Sequence, residues 1–203
     1  MIKKPILAQA ISVVFHPILW TFYVLVFMSY SYHYVFTKPE GMWMFLGTGF
    51  FMMVVAPLMM ILLLIKIKVV TSLEINERRE RSLPMFIVGL SYYLSYTVFK
   101  SIHLPDLFNL LLLGSTMLVI IAMLITFFWK ISLHLLSLGG ILGFFLAIGF
   151  RYNINFLIVI IPLVFIAGLV GYARLKLEAH TPSQVYLGFS IGAFVMFLVF
   201  ILL

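Results

Sequence analysis

Residues 173–184 read Ala-Arg-Leu-Lys-Leu-Glu-Ala-His-Thr-Pro-Ser-Gln, a polar segment between two long hydrophobic runs. Each run has about the 20 residues that an α-helix needs to cross a bilayer. Arg174 and His180 therefore lie at a membrane surface, where ionisable side chains are costly and usually functional. Thr181 and Pro182 are typical of a helix start, with proline in the first turn. The segment predicts two membrane-spanning helices joined by a short turn that carries an arginine and a histidine.

The composition extends this prediction to the whole chain. Of its 203 residues, 65% are hydrophobic and 9% are charged, whereas about a quarter of the residues of soluble domains are charged. This balance indicates an integral membrane protein. The absence of cysteine excludes disulfides and thiolate metal sites. In a membrane protein, a net charge of +7 indicates a cytoplasmic rim or contact with anionic lipids, and not nucleic acid.

Seven hydrophobic runs are candidate membrane spans, and the fifth is short. We therefore expect an all-α fold, a polytopic transmembrane helix bundle of six to seven spans that forms a single domain over residues 1–203. The first run follows two lysines and is too long for a signal-peptide core, so we expect it to be a retained helix. The runs are residues 5–28, 42–65, 84–102, 107–129, 134–150, 155–173 and 182–203.

Alternating spans bring distant polar segments to one membrane surface. Two spans separate each of these segments from the next, so all of them are predicted to lie on the same side. That side holds ten of the 13 lysines and arginines, and the positive-inside rule predicts that it faces the cytoplasm. If the five arginines and lysines that are candidates for a chemical role are left out, five lysines and arginines remain on this side and three on the other. The segments are the N-terminus and residues 66–82, 129–133 and 174–181.

Pairs of glycines four residues apart predict close packing of helices. Small residues at this spacing let helix backbones approach within a membrane. The alternative is that glycine is simply common in such helices. The pairs are Gly139 with Gly143 and Gly188 with Gly192, and Gly168 and Gly171 lie on a further span.

The segment 74–84 holds three arginines, Arg78, Arg79 and Arg81, interleaved with glutamates. It has two interpretations. One is a solvated loop with internal ion pairs, which contribute little to stability. The other is an anion clamp, in which Arg81 faces inward because it lies nearest to the next span.

The other two polar segments add imidazoles, a hydroxyl and a further arginine. Ser132 and His134 lie at a span start, where a serine hydroxyl caps a helix and a phosphate is favoured. His134 can donate a proton to a leaving alkoxide. Arg174 offers a forked donor for phosphate oxygens, and His180 offers a nucleophile or proton carrier. The alternatives are a cap with an interfacial histidine, and a basic interfacial turn. Together the segments predict phosphoryl chemistry at a membrane surface.

The spacing Arg-x5-His at residues 174–180 resembles the last signature of the type 2 phosphatidic acid phosphatase superfamily. That superfamily carries three motifs, K-x6-R-P, P-S-G-H and S-R-x5-H-x3-D. The second corresponds to residues 131–134 and the first, in part, to residues 74–84. The resemblance, to a divergent bacterial-type member, covers residues 74–190. It implies a helical bundle in the bacterial inner membrane that hydrolyses a lipid or polyprenyl phosphate or diphosphate through a phosphohistidine, without a metal ion or other cofactor.

The resemblance also implies roles for individual residues. His180 corresponds to the nucleophile and His134 to the general acid. Gln184 stands at the position of the aspartate that orients the nucleophile. The residues that would hold the phosphate are Arg174, Arg81 and Ser132, with Arg78 or Arg79 in place of the motif's lysine.

The chain departs from the motifs at several places. The change at position 184 bears most on activity, because glutamine accepts a hydrogen bond but brings no negative charge. The equivalent carboxylate-to-amide change in serine-protease triads lowers turnover by about 10⁴. Glu178 and Glu80 are alternative sources of a carboxylate. The departures include Glu74 for lysine, Pro84 in place of a proline next to Arg81, Ile131 for proline, Leu133 for glycine and Gln184 for aspartate.

Three functions remain open at the level of sequence. The first is a lipid-phosphate phosphatase whose partners are its lipid substrate and membrane lipids. The second is a protein on the same bundle that binds or transports anionic lipid without hydrolysis, which Gln184 favours. The third is a structural membrane protein whose charge clusters contact another subunit. Superfamily members commonly place their site outside the cytoplasm, opposite to the orientation that the lysines and arginines predict.

His16 directly precedes Pro17 within the first hydrophobic run. Proline frees a backbone carbonyl and can kink a helix. We expect His16 to satisfy such a carbonyl or to face the bundle interior, and lining a substrate cavity is the alternative.

Overall fold

The described part of the chain consists of helices and the turns between them, with no strand. The computed structural model describes residues 5–36, 38–72, 79–102 and 104–203, apart from the side chain of residue 79. The all-α prediction is confirmed. Short 3₁₀ turns at His33–Val35 and Arg79–Arg81 and a π-helical turn at Phe51–Val55 complete the elements. The α-helices are α1 (Ile6–Val14), α2 (Pro17–Ser31), α3 (Pro39–Phe50), α4 (Ala56–Lys66), α5 (Ser82–Lys100), α6 (Asp106–Phe128), α7 (Leu133–Tyr152), α8 (Leu157–Lys176) and α9 (Pro182–Leu202).

Within the described ranges, six helices are long and apolar enough to cross a membrane. They are Pro39–Lys66, which runs through α3 and α4, and α5 to α9. The pair α1 and α2 would make a seventh span, broken by a bend of 48°. Each of the six helices begins and ends within three residues of its predicted run. The chain is a polytopic integral membrane protein with the predicted six to seven spans.

The prediction that the fifth span is short is wrong, because α7 has 20 residues. Its last turn extends through Arg151 and Tyr152. Arg151 Nη1 donates to the backbone carbonyl of Phe200, 2.9 Å away, so this hydrogen bond joins the end of α7 to the end of α9. Asn153 then closes α7 in the left-handed conformation, with φ of 53°, which asparagine tolerates better than most residues.

Proline residues lie at the two irregular points of the helices. A proline has no N–H to donate, so the hydrogen-bond ladder before it must change register. The π-helical turn Phe51–Val55 lies just before Pro57. The bend between α1 and α2 lies at Pro17, as predicted.

The helices form two compact units, which are described separately. The terminal unit contains the chain up to Trp20 together with Phe128–Leu203. The central unit contains Thr21–Phe127. The single domain expected from the sequence stays a prediction.

Glycines determine how closely α7 and α9 pack in the terminal unit. A Cβ atom at Gly139 on α7 would collide with the carbonyl of Phe189 on α9, and one at Gly192 would collide with the carbonyl of Leu136 on α7. The close approach predicted from the glycine spacing is therefore confirmed. Gly168 on α8, in contrast, faces open space. The other members of the two pairs, Gly143 and Gly188, also lie against the backbone of the opposite helix.

An aromatic cluster forms the core of the central unit. The rings of Phe45 and Phe99 are 4.4 Å apart and those of Phe45 and Phe108 are 5.8 Å apart. Phe99 and Phe108 are fully buried. Thr21 on α2 donates a hydrogen bond to Ser115 on α6, with 3.2 Å between the two oxygens. This unit carries Arg81, directly before α5.

Candidate functional site

The spacing of Arg174 and His180 results from the way α8 ends. The N–H of Glu178 donates to the carbonyl of Leu175 at 2.9 Å. The N–H of Ala179 donates to the carbonyl of Arg174 at 3.1 Å. These two bonds form a Schellman turn, in which Glu178 takes the left-handed position with φ of 53°. The turn ends at Ala179, whose N–H bonds the carbonyl of Arg174, and His180 is the next residue. The five residues between Arg174 and His180 therefore return the chain to the end of α8, where both side chains lie.

The start of α9 follows at once and forms a capping box. Thr181 is the N-cap, and its hydroxyl accepts from the N–H of Gln184 at 3.4 Å. The N–H of Thr181 donates in return to Gln184 Oε1 at 3.3 Å. Pro182 occupies the first helical position, where a missing N–H has no cost. The predicted helix start is therefore confirmed.

The same glutamine orients the ring of His180. Gln184 Oε1 lies 2.9 Å from His180 Nδ1. Because this oxygen also accepts from a backbone N–H and cannot donate, Nδ1 must carry the hydrogen. The neutral ring therefore has its lone pair on Nε2. His180 is 8% exposed, so the ring is held in one orientation in a buried position.

The alternative carboxylates lie elsewhere. Glu178 is exposed on the Schellman turn. Glu80 belongs to the central unit, where Oε2 accepts from both the N–H and the hydroxyl of Thr71 at 2.9 Å. Gln184 is thus the residue whose side chain contacts the δ nitrogen of His180 at the position predicted for the orienting residue.

Ser132 is joined to this turn through its backbone. Its N–H donates to the carbonyl of Gln184 at 3.3 Å, and its own carbonyl accepts from the N–H of Leu136 at 2.9 Å. The predicted cap through the serine hydroxyl is wrong, because the close approach of Gly188 fixes Ser132 by its main chain. The hydroxyl is fully buried and makes no hydrogen bond with any described residue. A buried hydroxyl that stays unpaired costs roughly 1–3 kcal/mol, which favours a further polar partner.

His134 lies in the first turn of α7 and contacts α1. Its Nε2 is 3.0 Å from the backbone carbonyl of Ser12, and since a carbonyl only accepts, Nε2 donates. The ring also lies against that of His16, with 5.6 Å between centroids and planes nearly perpendicular. His134 is within electrostatic range of Arg174, His16 and His180.

Arg174 joins the same group from the last turn of α8. Its Nη1 donates to the hydroxyl of Ser12 at 3.3 Å, and the side chain is 9% exposed. Its charge also acts on His16. A cation at this end of a helix is favoured by the helix dipole. The terminal unit therefore brings together four predicted site residues, Ser132, His134, Arg174 and His180. Gln184 is hydrogen-bonded to His180.

Ser12 and His16 belong to this group, although the sequence pattern does not predict Ser12 there. Ser12 is 7% exposed and contacts both His134 and Arg174. His16 accepts a hydrogen bond at Nδ1 from the N–H of Ile18, 3.4 Å away. The His-Pro pair inside an apolar run is the sequence signal for His16. A serine in such a run carries no comparable signal.

The predicted arginine clamp belongs to the central unit. Arg81 is 5% exposed and lies at the end of the 3₁₀ turn before α5. Arg78 lies outside the described residues, as does the side chain of Arg79. Participation of all three in phosphate binding stays a prediction.

The group in the terminal unit contains the kinds of side chain that bind oxyanions in proteins. It combines a buried guanidinium, a buried hydroxyl, one imidazole with its lone pair on Nε2 and a second imidazole with its hydrogen on Nε2. These are the donors and the nucleophile that phosphoryl transfer uses. Within the described ranges, no three histidine, aspartate or glutamate side chains converge in a way that could hold a metal ion.

Comparisons of the chain with protein-family models, with curated proteins and with solved structures find no match. Function is therefore inferred from the geometry of the terminal unit.

Proposed function

We propose that this chain is a lipid-phosphate phosphatase, a divergent bacterial-type member of the type 2 phosphatidic acid phosphatase superfamily. Its substrate is a lipid or polyprenyl phosphate or diphosphate. One observation carries the proposal: His180 is buried and held through Nδ1 by Gln184 at 2.9 Å, with Arg174 and His134 in the same group. An oriented imidazole beside a guanidinium is the arrangement that a phosphohistidine mechanism requires.

In the first step, His180 Nε2 attacks phosphorus. The bond from phosphorus to the leaving oxygen breaks, its electron pair stays on that oxygen, and His134 supplies the proton. Arg174 and the hydroxyl of Ser132 bind the non-bridging oxygens and stabilise the negative charge that they carry. Binding of the phosphate by Arg81, and by Arg78 or Arg79 in place of the motif's lysine, stays a prediction of the resemblance.

In the second step, water attacks the phosphorus of the phosphohistidine. His134 takes a proton from the water, the phosphorus–nitrogen bond breaks, and its electron pair returns to Nε2. Inorganic phosphate leaves, and His180 is again neutral. Gln184 holds Nδ1–H throughout, as the orienting residue does in other histidine-based sites.

We place the protein in the bacterial inner membrane. Helical spans support this location, since transmembrane proteins of the bacterial outer membrane are β-barrels. The apolar part of the substrate would lie among the spans, and its headgroup would reach the polar end of the terminal unit. Membrane lipids are therefore both the surroundings and the source of the substrate.

A second candidate is binding or transport of anionic lipid without hydrolysis. The neutral amide of Gln184 favours it, because glutamine adds no negative charge when His180 becomes positive. The arginine and the buried hydroxyl would still bind a phosphate headgroup.

Phosphate release by the purified protein in detergent tests the proposal. The substrates are phosphatidic acid, a polyprenyl phosphate and a polyprenyl diphosphate, assayed with excess chelator and no added magnesium. We expect release by the wild type, loss in His180→Ala, and retention in His33→Ala, which removes an exposed histidine in the central unit.

Two outcomes separate the candidates. Release no greater than that of His180→Ala, across all substrates, would reject the phosphatase. Binding of phosphatidic acid that survives His180→Ala and is lost in Arg174→Ala, without turnover, would select the binding protein.

A further inference from the structure

The break in the first helix releases a backbone carbonyl into the site. Pro17 has no N–H for the carbonyl of Val13, which instead accepts from the N–H of His16 at 3.2 Å. In an unbroken helix, that N–H would bond the carbonyl of Ser12. The carbonyl of Ser12 is thus left without a helical donor and accepts from Nε2 of His134 at 3.0 Å.

This hydrogen bond determines which nitrogen of His134 can react. A carbonyl only accepts, so Nε2 carries a hydrogen in both the neutral and the charged ring. The nitrogen that gains and loses a proton is therefore Nδ1. His180 is held in the opposite way, since its Nδ1 donates to Gln184 Oε1 and the lone pair of the neutral ring is therefore on Nε2. In the proposed reaction, His134 therefore acts through Nδ1 and His180 through Nε2.

Two further contacts hold His134 and its surroundings in place. The ring of His16 lies 5.6 Å from that of His134 and nearly perpendicular to it, so it limits rotation of the His134 ring. The hydroxyl of Ser12 accepts from Nη1 of Arg174 at 3.3 Å. Ser12 therefore contacts the proposed general acid through its carbonyl and the proposed phosphate ligand through its hydroxyl.

We propose that Ser12 is a positioning residue for the general acid, and that Nδ1 of His134 delivers the proton to the leaving oxygen. This inference rests on the proposed phosphatase function. His134 enters this step as the imidazolium, with hydrogens on both ring nitrogens. As the bond from phosphorus to the leaving oxygen breaks, Nδ1–H transfers its proton to that oxygen, and the neutral ring keeps its Nε2–H on the Ser12 carbonyl. In the second step, the same Nδ1 takes the proton of the attacking water.

The variant Pro17→Ala tests this assignment because it restores an N–H at position 17. The carbonyl of Ser12 can then be recaptured by the N–H of His16, and His134 loses its acceptor. General-acid catalysis contributes roughly 10²–10⁴-fold and matters most for poor leaving groups. We expect Pro17→Ala to lower kcat for an alkyl lipid phosphate at least about tenfold, but to lower kcat for a nitrophenyl phosphate ester less than about threefold. Equal losses on both esters, or no loss on the alkyl ester, would overturn the assignment.

Ser12→Ala separates the two contacts of Ser12, because it removes the hydroxyl and keeps the carbonyl. We expect KM for the alkyl ester to rise a few-fold because Arg174 loses a contact, and kcat to fall less than it does in Pro17→Ala. A loss of kcat as large as that of Pro17→Ala, on the alkyl ester alone, would assign the effect to the hydroxyl and contradict the role of the carbonyl.

Nitrogen-15 NMR of histidine-labelled full-length protein tests the hydrogen bond without turnover. The chain has five histidines, and the signals of His134 are those lost in His134→Gln. We expect a hydrogen on Nε2 of His134 in the wild type, even if Pro17→Ala does not fold. A neutral His134 with its hydrogen on Nδ1 would overturn the inference. If the wild type hydrolyses neither ester, the phosphatase proposal fails, and this spectrum still decides the placement of His134.

Discussion

Gln184 serves both the fold and the site. Its side-chain oxygen accepts from the N–H of Thr181 and from Nδ1 of His180, while its own N–H bonds the hydroxyl of Thr181. The capping box therefore fixes the amide that orients the ring of His180. The amide selects the tautomer with the lone pair on Nε2, but it supplies no charge to balance a positive ring. Substitutions at position 184 can therefore separate the orientation of the His180 ring from the stabilisation of its positive charge.

Gln184→Glu should increase turnover. Glutamate has the same length and also forms a capping box, so it can keep both contacts and add a negative charge behind His180. Because the reverse change costs about 10⁴ in serine-protease triads, we expect kcat to rise at least about tenfold. Phosphate release from phosphatidic acid measures it. Gln184→Met, which keeps the length but cannot accept a hydrogen bond, should lower kcat below that of the wild type. Equal kcat in all three proteins would contradict an orienting role.

Arg174→Lys should weaken oxyanion binding although it keeps the charge. A lysine offers a point charge in place of a planar fork, and it must be held in the same buried position. We expect the vanadate concentration that half-inhibits hydrolysis to rise about tenfold, which corresponds to roughly 1.4 kcal/mol. Lys176→Ala is the control, because Lys176 is exposed two residues further along the chain. If Lys176→Ala weakens inhibition as much as Arg174→Lys does, the effect is one of surface charge.

The site residues that sequence predicts are those with rare side chains. An arginine and two histidines next to apolar runs stand out because such groups are costly in a membrane. Ser12 does not stand out, because its part in the site depends on a backbone carbonyl. That carbonyl is available only because Pro17 breaks the helix and because packing brings His134 to it. The break at Pro17 can be predicted from the sequence, but the packing of His134 against Ser12 cannot.

Among the elements, α7 and α9 form the closest contact of the terminal unit. Their glycines let the two backbones touch, and this contact sets Ser132 against Gln184 through the hydrogen bond of 3.3 Å. The helix interface and the site are therefore coupled. Widening the interface should displace the start of α7 from His180.

Gly192→Ala should destabilise the protein and reduce activity together. Its Cβ would collide with the carbonyl of Leu136, and such overpacking typically costs about 1–3 kcal/mol. We expect a lower Tm in detergent, followed by the intrinsic tryptophan fluorescence. Gly168→Ala is the matched control, because a Cβ there meets no atom within 4 Å and alanine favours helix by up to about 1 kcal/mol. If both variants lower Tm equally, the contact between α7 and α9 does not limit stability.

The limits of the helices are predictable because the apolar runs are long and their polar ends are abrupt. The six longest helices end within three residues of the predicted runs. The bend at Pro17 also follows from the sequence, since proline removes a donor. The length of α7 does not follow, because the contact from Arg151 to the carbonyl of Phe200 joins residues 49 apart in the chain. The apolar pattern of the sequence predicts where a helix lies, but contacts with residues far along the chain determine where its last turn ends.

At the scale of the whole molecule, the prediction concerns which turns share a membrane surface. The order of spans predicts that the end of α4 and the turn after α8 lie on one side. The turn before α3 and the end of α7 are predicted to lie on the other. This order predicts that residues 66–82 and residues 174–181 face the same membrane surface, whether or not α1 and α2 cross the membrane together.

Cysteine labelling tests this arrangement directly, because the natural chain has no cysteine and each single variant reports one position. We expect Lys66→Cys and Lys176→Cys to react with a membrane-impermeant maleimide from one side of sealed vesicles. Tyr34→Cys and Tyr152→Cys should react only from the other side, and all four native residues are exposed. Labelling of Lys66→Cys and Lys176→Cys from opposite sides would contradict the predicted order of the spans. The contacts among Ser12, His134 and Arg174 lie within the terminal unit and do not depend on that order.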